Sequence, residues 1–253
     1  MAWREDNGRR SNGALHGADA HAVLAERNRV IDRSDPALHA ALPTPRARFY
    51  SEVMQLQPSQ RTAALTRTTA ETDIALTLAL DGTGASHIAT GVGFFDHMLT
   101  AFARHGGFDL KVEARGDLHI DAHHTVEDTG IVLGTAFRQA LGTKAGIARF
   151  GQALIPMDEA LAEAAVDISG RAFLAWNVAF ARPMLGTMDT QLVEEFFRAF
   201  TGNALLTLHV TSRAGSNAHH VAESCFKAAA RALRMAVALD PRVVGVPSTK
   251  GAL

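Results

Sequence analysis

His123-His124-Thr125-Val126-Glu127 and His219-His220-Val221-Ala222-Glu223 are two copies of one pattern, His-His-x-x-Glu, set 96 residues apart (123 to 219). Beyond these copies, His97-Met98-Leu99-Thr100-Ala101-Phe102 aligns with Glu195-Phe196-Phe197-Arg198-Ala199-Phe200 at an offset of 98 (97 to 195). At that same offset the alternating Phe108, Leu110 and Val112 fall on Leu206, Leu208 and Val210. Self-similarity at a nearly fixed offset marks a duplicated unit, and the difference of two is a loop shortening. Each half reads as strands followed by a helix that opens with His-His-x-x-Glu. The order therefore predicts an α+β fold of two half-domains packed together, about 61–158 and 159–253. Ile74, Leu76, Leu78 and Leu80 alternate with smaller residues as a further strand, closed by an Asp81-Gly82 turn. Helices are expected over 123–141, with Val126, Leu133 and Phe137 on one face, and over 218–239, with Val221, Ala228 and Met235 on one face.

The helix openings carry the chemistry. Residues i and i+4 are neighbours on a helix, whereas i+1 lies about 100° round the axis. His123 with Glu127, and His219 with Glu223, can each chelate one ion, while His124 and His220 point elsewhere and would serve a second ion. One helix cannot aim both histidines into one compact site, so other subunits are expected to complete each site. Asp121 and Asn217 stand two residues before each pair as candidate N-caps. A single such motif is ordinary surface chemistry; two copies at a repeat-consistent offset point to divalent first-row metals held by imidazole and carboxylate. His119 and His209, in or near strands, are expected to be structural.

Composition bounds the rest. The chain has 253 residues, 47% apolar and 20% charged, which suits a globular protein. Lys plus Arg number 25 against 26 Asp plus Glu, leaving no basic field to collect nucleic acid or acidic membrane. Cys225 is the only cysteine, which excludes an intramolecular disulfide, and no apolar run spans a membrane, so the cytoplasm is the expected location. Residues 1–60, rich in Gly, Pro and mixed charge, are expected to form a mobile or loosely docked extension with one short helix over 19–30. Their acidic residues argue against a transit peptide.

Three segments carry a resemblance: Gly91-Val92-Gly93-Phe94-Phe95-Asp96-His97-Met98-Leu99, the run Asp117-Leu118-His119-Ile120-Asp121-Ala122-His123-His124-Thr125-Val126-Glu127-Asp128, and Asn217 through Glu223. In this order they closely resemble the imidazoleglycerol-phosphate dehydratase family of histidine biosynthesis. The resemblance spans nearly all of 61–253. It implies half-domains each made of a four-stranded sheet with helices on one face, assembly into 24 subunits, and two manganese ions at sites shared between subunits. The implied reaction is dehydration of D-erythro-imidazole-glycerol phosphate to imidazole acetol phosphate. It also implies His97 as a further metal ligand beside His123, His124, Glu127, His219, His220 and Glu223, and Glu71 as the acid/base carboxylate. His105, Arg149, Arg171, Lys227, Ser248 and Lys250 would contact the phosphorylated imidazole substrate. For several of these the plain alternative stays open: Lys227 could be an i,i+4 partner of Glu223, and Arg149 and Arg171 could be surface charges. Glu195 stands where many family members carry a ligand histidine; a carboxylate can replace it on manganese, or Glu195 can face solvent. Two other readings of the same residues are a dimetal phosphohydrolase and a non-catalytic metal-binding assembly protein.

Overall fold

The computed structural model describes residues 61–253; the expected short helix at 19–30 and the character of the 1–60 extension lie outside them. The described residues open with a hairpin, β1 (Thr62–Thr68) and β2 (Thr72–Ala79), whose turn is set by Thr69: its hydroxyl accepts from the backbone N–H groups of Glu71 and Thr72. Thr72, Ile74, Leu76 and Leu78 point inward and are buried, while Asp73, Ala75 and Thr77 face outward, the period of two that a half-buried strand requires. There follow β3 (Ser86–Ala89), α1 (Gly93–Gly106), β4 (Asp109–Gly116) and α2 (His123–Leu141). The second half repeats the order with β5 (Phe150–Met157), β6 (Ala160–Asp167), β7 (Phe173–Asn177), α3 (Gln191–Ala204), β10 (Thr207–Ala214) and α4 (Ala218–Val237). A small hairpin, β8 (Met184–Leu185) and β9 (Met188–Asp189), is inserted between β7 and α3.

Both four-stranded sheets have one topology. The first runs β1-β2-β4-β3 and the second β5-β6-β10-β7, in each case antiparallel except for the last pair, which is parallel. Each sheet carries its two helices on one face, and the helical faces meet: α1 packs on α4 and α2 on α3, so every helix pair joins the two halves. One hydrophobic core runs through this seam, built on Phe95, Phe102, Phe137, Phe196, Phe200 and Phe226, all fully buried. Their rings meet largely edge to face, as between Phe95 and Phe196 at 5.4 Å and Phe137 and Phe200 at 5.5 Å.

The duplicated α+β architecture follows the expectation; some details do not. The junction between halves lies at 142–149 rather than near 158, because Phe150–Met157 pairs with β6 in the second sheet. The early strands repeat at a shorter offset, 88 from Thr62 to Phe150, against 98 from Asp109 to Thr207. The β8–β9 insertion accounts for that difference, and it hid the first hairpin of the second half from the repeat. Met235 is 49% exposed instead of buried with Val221 and Ala228, since a seven-residue spacing drifts round a 3.6-residue helix and α4 ends at Val237. His119 and His209, expected to be structural, are both exposed; His209 lies on the outer face of β10 with the Phe173 ring 6.1 Å away.

Candidate metal centre

The helix openings form as the spacing demands. The side chain of Asn217 accepts the His219 backbone N–H as the N-cap of α4. Asp121 accepts the His123 N–H in the same manner at α2, although the residue flanking that helix is Ala122. Both histidine pairs thus sit in first turns, which α1–α4 and α2–α3 packing turn toward the opposite half.

On the α4 side three ligand atoms converge. His97 Nε2 lies 3.0 Å and His219 Nε2 3.1 Å from the same oxygen, Oε2 of Glu223. The donor atoms of His97, His219 and Glu223 all fall within 4.8 Å of one another. The other carboxylate oxygen of Glu223 is held by Lys227 Nζ at 2.6 Å. Glu223 is buried, which by itself would raise its pKa, but Lys227 and His97 outweigh burial and hold it down to about 2. The glutamate is therefore favoured as an anion aimed at two imidazoles, a donor set of nitrogen and oxygen with no sulfur, and it fits a first-row divalent cation. Lys227 makes the i,i+4 pair that stood as its alternative role.

The two outward histidines behave alike. His124 Nδ1 donates to Asp117 Oδ2 at 2.9 Å, and His220 Nδ1 donates to Glu159 Oε2 at 2.8 Å. Each bond lowers the pKa of its carboxylate, that of Glu159 to about 2, and raises that of its histidine. On the opposite ring edge, Nε2 of His124 lies 3.8 Å from Glu71 Oε1, and Nε2 of His220 lies 3.8 Å from Asp158 Oδ2. Asp117, Asp158 and Glu159 escaped the sequence reading, because their turns approach the histidines only through the sheets; the one available signal was an acidic pair at the centre of a hairpin.

His123 Nε2 is 3.7 Å from Glu127 Oε2, so this i,i+4 pair is formed but looser than its counterpart. Glu195 is half-buried on α3, which packs against α2, and its carboxylate does not join a three-ligand group among the described residues. A cleft of about 370 Å³ lies beside His123, lined also by Asp121, Met184, Asp189 and Gln191. A second of about 400 Å³ lies beside His219, lined by Phe94, Arg182, Gly186 and Asn217.

The cationic residues divide into two places. His105 lies near Lys227 and Arg231 by the α1–α4 seam, where partial burial and then those cations depress its pKa, favouring the neutral imidazole. Arg149, Arg171, Ser248 and Lys250 gather at the far end of the second sheet. Arg149 grips Asp167 through Nε and Nη2 at 2.7 and 3.2 Å and donates to the Pro247 carbonyl at 2.8 Å, pinning the tail that bears Ser248 and Lys250. Arg149 adopts φ 72, an uncommon conformation for a residue with a Cβ. Arg171 follows Gly170, against which the terminal Leu253 packs. Lys227, by contrast, contacts Met157 at the opposite end of β5, about 23 Å along a strand of this length.

Residues 90–233 match the family model for imidazoleglycerol-phosphate dehydratase. A relative of that name from Acidiphilium cryptum is 70% identical over 194 residues, covering 76% of this chain and 99% of its own length. One from Gluconacetobacter diazotrophicus is 68% identical over 194 residues, covering 76% and 98%. Among solved structures, the Staphylococcus aureus imidazoleglycerol-phosphate dehydratase is 44% identical with TM-score 0.65, covering 71% of this chain and 99% of that one. The Pyrococcus furiosus enzyme in complex with (S)-C348 is 38% identical with TM-score 0.65, covering 75% and 100%. With the duplicated sheets, the paired His-His-x-x-Glu helices and these relatives agreeing, the chain belongs to the imidazoleglycerol-phosphate dehydratase family.

Proposed function

We propose that this chain is a hydro-lyase that removes water from D-erythro-imidazole-glycerol phosphate to give imidazole acetol phosphate in L-histidine biosynthesis, using two manganese ions per active site. The convergence of His97 and His219 on the buried Glu223 carries the metal reading. His123, Glu127, His124 and His220 complete the ligand set, with Glu195 in place of a histidine. When bound, the ions supply Lewis acidity toward the imidazole and hydroxyl of the substrate. Glu71, exposed and 3.8 Å from His124 Nε2, moves the proton. His105, held toward its neutral form, offers a hydrogen bond without adding charge beside Lys227.

The separation of the two ends of β5 supports sites shared between subunits, and the 24-subunit assembly expected of the family is the arrangement proposed here. Arg171, Ser248 and Lys250 of one chain would reach the substrate phosphate at the metal end of another, guanidinium and ammonium groups suiting a dianion. Among the described residues no helix is long and apolar enough to cross a membrane. The test is to strip the full chain of metal, add Mn²⁺, and follow both substrate loss and phosphate release. Metal-dependent conversion with the phosphate retained is expected; release of inorganic phosphate would mark a phosphohydrolase, and metal binding without turnover an assembly protein.

A further inference from the structure

The first and second halves hold their outward histidines by one hydrogen bond made from two different places. In the first half the carboxylate is Asp117, directly after Gly116, the last residue of β4; in the second it is Glu159, directly before β6. The repeat does not equate them. The position matching Asp117 at the offset of β4 and β10 is Gly215, which has φ 136 and where an added Cβ would lie 2.5 Å from Val221 Cγ2, leaving no room for a carboxylate. The position matching Glu159 at the offset of the first hairpins is Glu71, which approaches His124 from the Nε2 side. The same ring nitrogen is thus engaged by a carboxylate in both halves despite a different origin.

A neutral imidazole carries one N–H. A carboxylate fixed at Nδ1 selects the tautomer with the proton there and leaves the Nε2 lone pair free. Nε2 is also the atom that His97 and His219 present to Glu223. Each carboxylate is suited to the task. Glu159 Oε1 is locked by the backbone N–H groups of Ser216 at 3.2 Å and Asn217 at 2.8 Å, so only Oε2 is left for the ring. Asp117 Oδ1 is buried with no hydrogen-bond partner among the described residues, so its carboxylate is committed to His124.

We propose that Asp117 and Glu159 are positioning residues, which fix the tautomer and ring orientation of His124 and His220 so that Nε2 is presented as a metal ligand. A division of labour follows. Because Asp117 supports His124, Glu71 is released from the supporting role that its counterpart Glu159 retains, and stands free at the reacting side.

This inference rests on the metal reading, and the experiment separates the two. Mn²⁺ affinity is measured by titration of the full metal-stripped chain for the wild type, Asp117→Ala, Glu159→Ala, Asp117→Asn and Glu159→Gln, alongside thermal unfolding of each metal-free variant. The ¹⁵N shifts of labelled histidine report the tautomers of His124 and His220. The alanine variants should bind Mn²⁺ about 10- to 100-fold more weakly. The amide variants, which keep an acceptor, should lose less, and the metal-free wild type, at a pH high enough to leave both rings neutral, should show Nδ1–H rings at both positions. Wild-type affinity in the alanine variants, or Nε2–H rings in the wild type, would overturn the positioning role while leaving the metal site standing. Weakened binding that tracks loss of folding in the metal-free variants would also overturn it, as a structural effect. A wild-type chain that binds no divalent ion would overturn the metal reading itself.

Discussion

Glu71 shows how much one carboxylate's setting decides. It is exposed, it ends the β1–β2 turn, and one of its carboxylate oxygens faces a histidine nitrogen at 3.8 Å. Glu223, chemically the same kind of group, is buried against two imidazoles and a lysine. In the proposed function the first moves a proton and the second holds an ion. Glu71→Gln keeps the reach of the side chain and removes the titrating group, so turnover should fall by about 10² to 10⁴, roughly 3–5 kcal/mol of barrier, with Mn²⁺ content unchanged. Steady-state rates and metal analysis on one preparation check this; loss of metal would make Glu71 a ligand.

At the scale of elements, the seam between halves is held by close backbone approach as much as by the phenylalanines. Gly130 and Gly134 lie one turn apart on α2, and a Cβ at Gly134 would stand 2.4 Å from the Phe200 carbonyl oxygen of α3. Gly134→Ala should therefore force the helices apart and cost about 1–3 kcal/mol in chemical denaturation. Gly202, on the exposed side of α3 with open space around it, is the control: Gly202→Ala should stabilise by about 0.5–1 kcal/mol, because a helix interior favours alanine. A second tie crosses the halves at Arg61, whose Nε and Nη2 donate to Asp81 at 2.9 and 2.5 Å and whose Nη1 donates to the Val237 carbonyl at the end of α4. Arg61 holds the Asp81 pKa below its ordinary 3.8. A carboxylate with a depressed folded-state pKa stabilises above the unfolded value, and that contribution fades as pH falls through the folded one. Asp81→Asn should thus destabilise at neutral pH by no more than about 1 kcal/mol, since Asp81 is 43% exposed and the pair is screened. The difference from wild type should shrink steadily as unfolding is measured at pH values below 3.8.

For the whole molecule, metal and assembly are expected to be linked. If ions at shared sites tie subunits together, removing them with a chelator should shift the oligomer toward smaller species in analytical ultracentrifugation, and Mn²⁺ should restore it. A small species that keeps two ions per chain would refute the shared site. The relatives give a second expectation. Their matches take in 98–99% of their own length while leaving about a quarter of this chain unmatched. Deletion of residues 1–60, which precede both repeat halves, should leave metal binding, assembly and turnover essentially intact, and a sharp loss of any of these on truncation would give the extension an essential role.

The repeat of His-His-x-x-Glu, the alternation in the strands and the helix periods are local patterns, and they were enough to reveal the duplicated α+β halves, the helix over 123–141 and the i,i+4 geometry of both His/Glu pairs. The junction at 142–149 and the supporting roles of Asp117 and Glu159 were not legible there. An inserted hairpin changes the offset between repeats without leaving a periodic trace. A carboxylate 61 residues from its histidine is brought to it only when the hairpin turn is delivered by the sheet. The tertiary structure likewise decided that His97 joins His219 and Glu223. That contact depends on α1 of one half lying against α4 of the other, an arrangement fixed by burying the phenylalanine seam rather than by any local spacing.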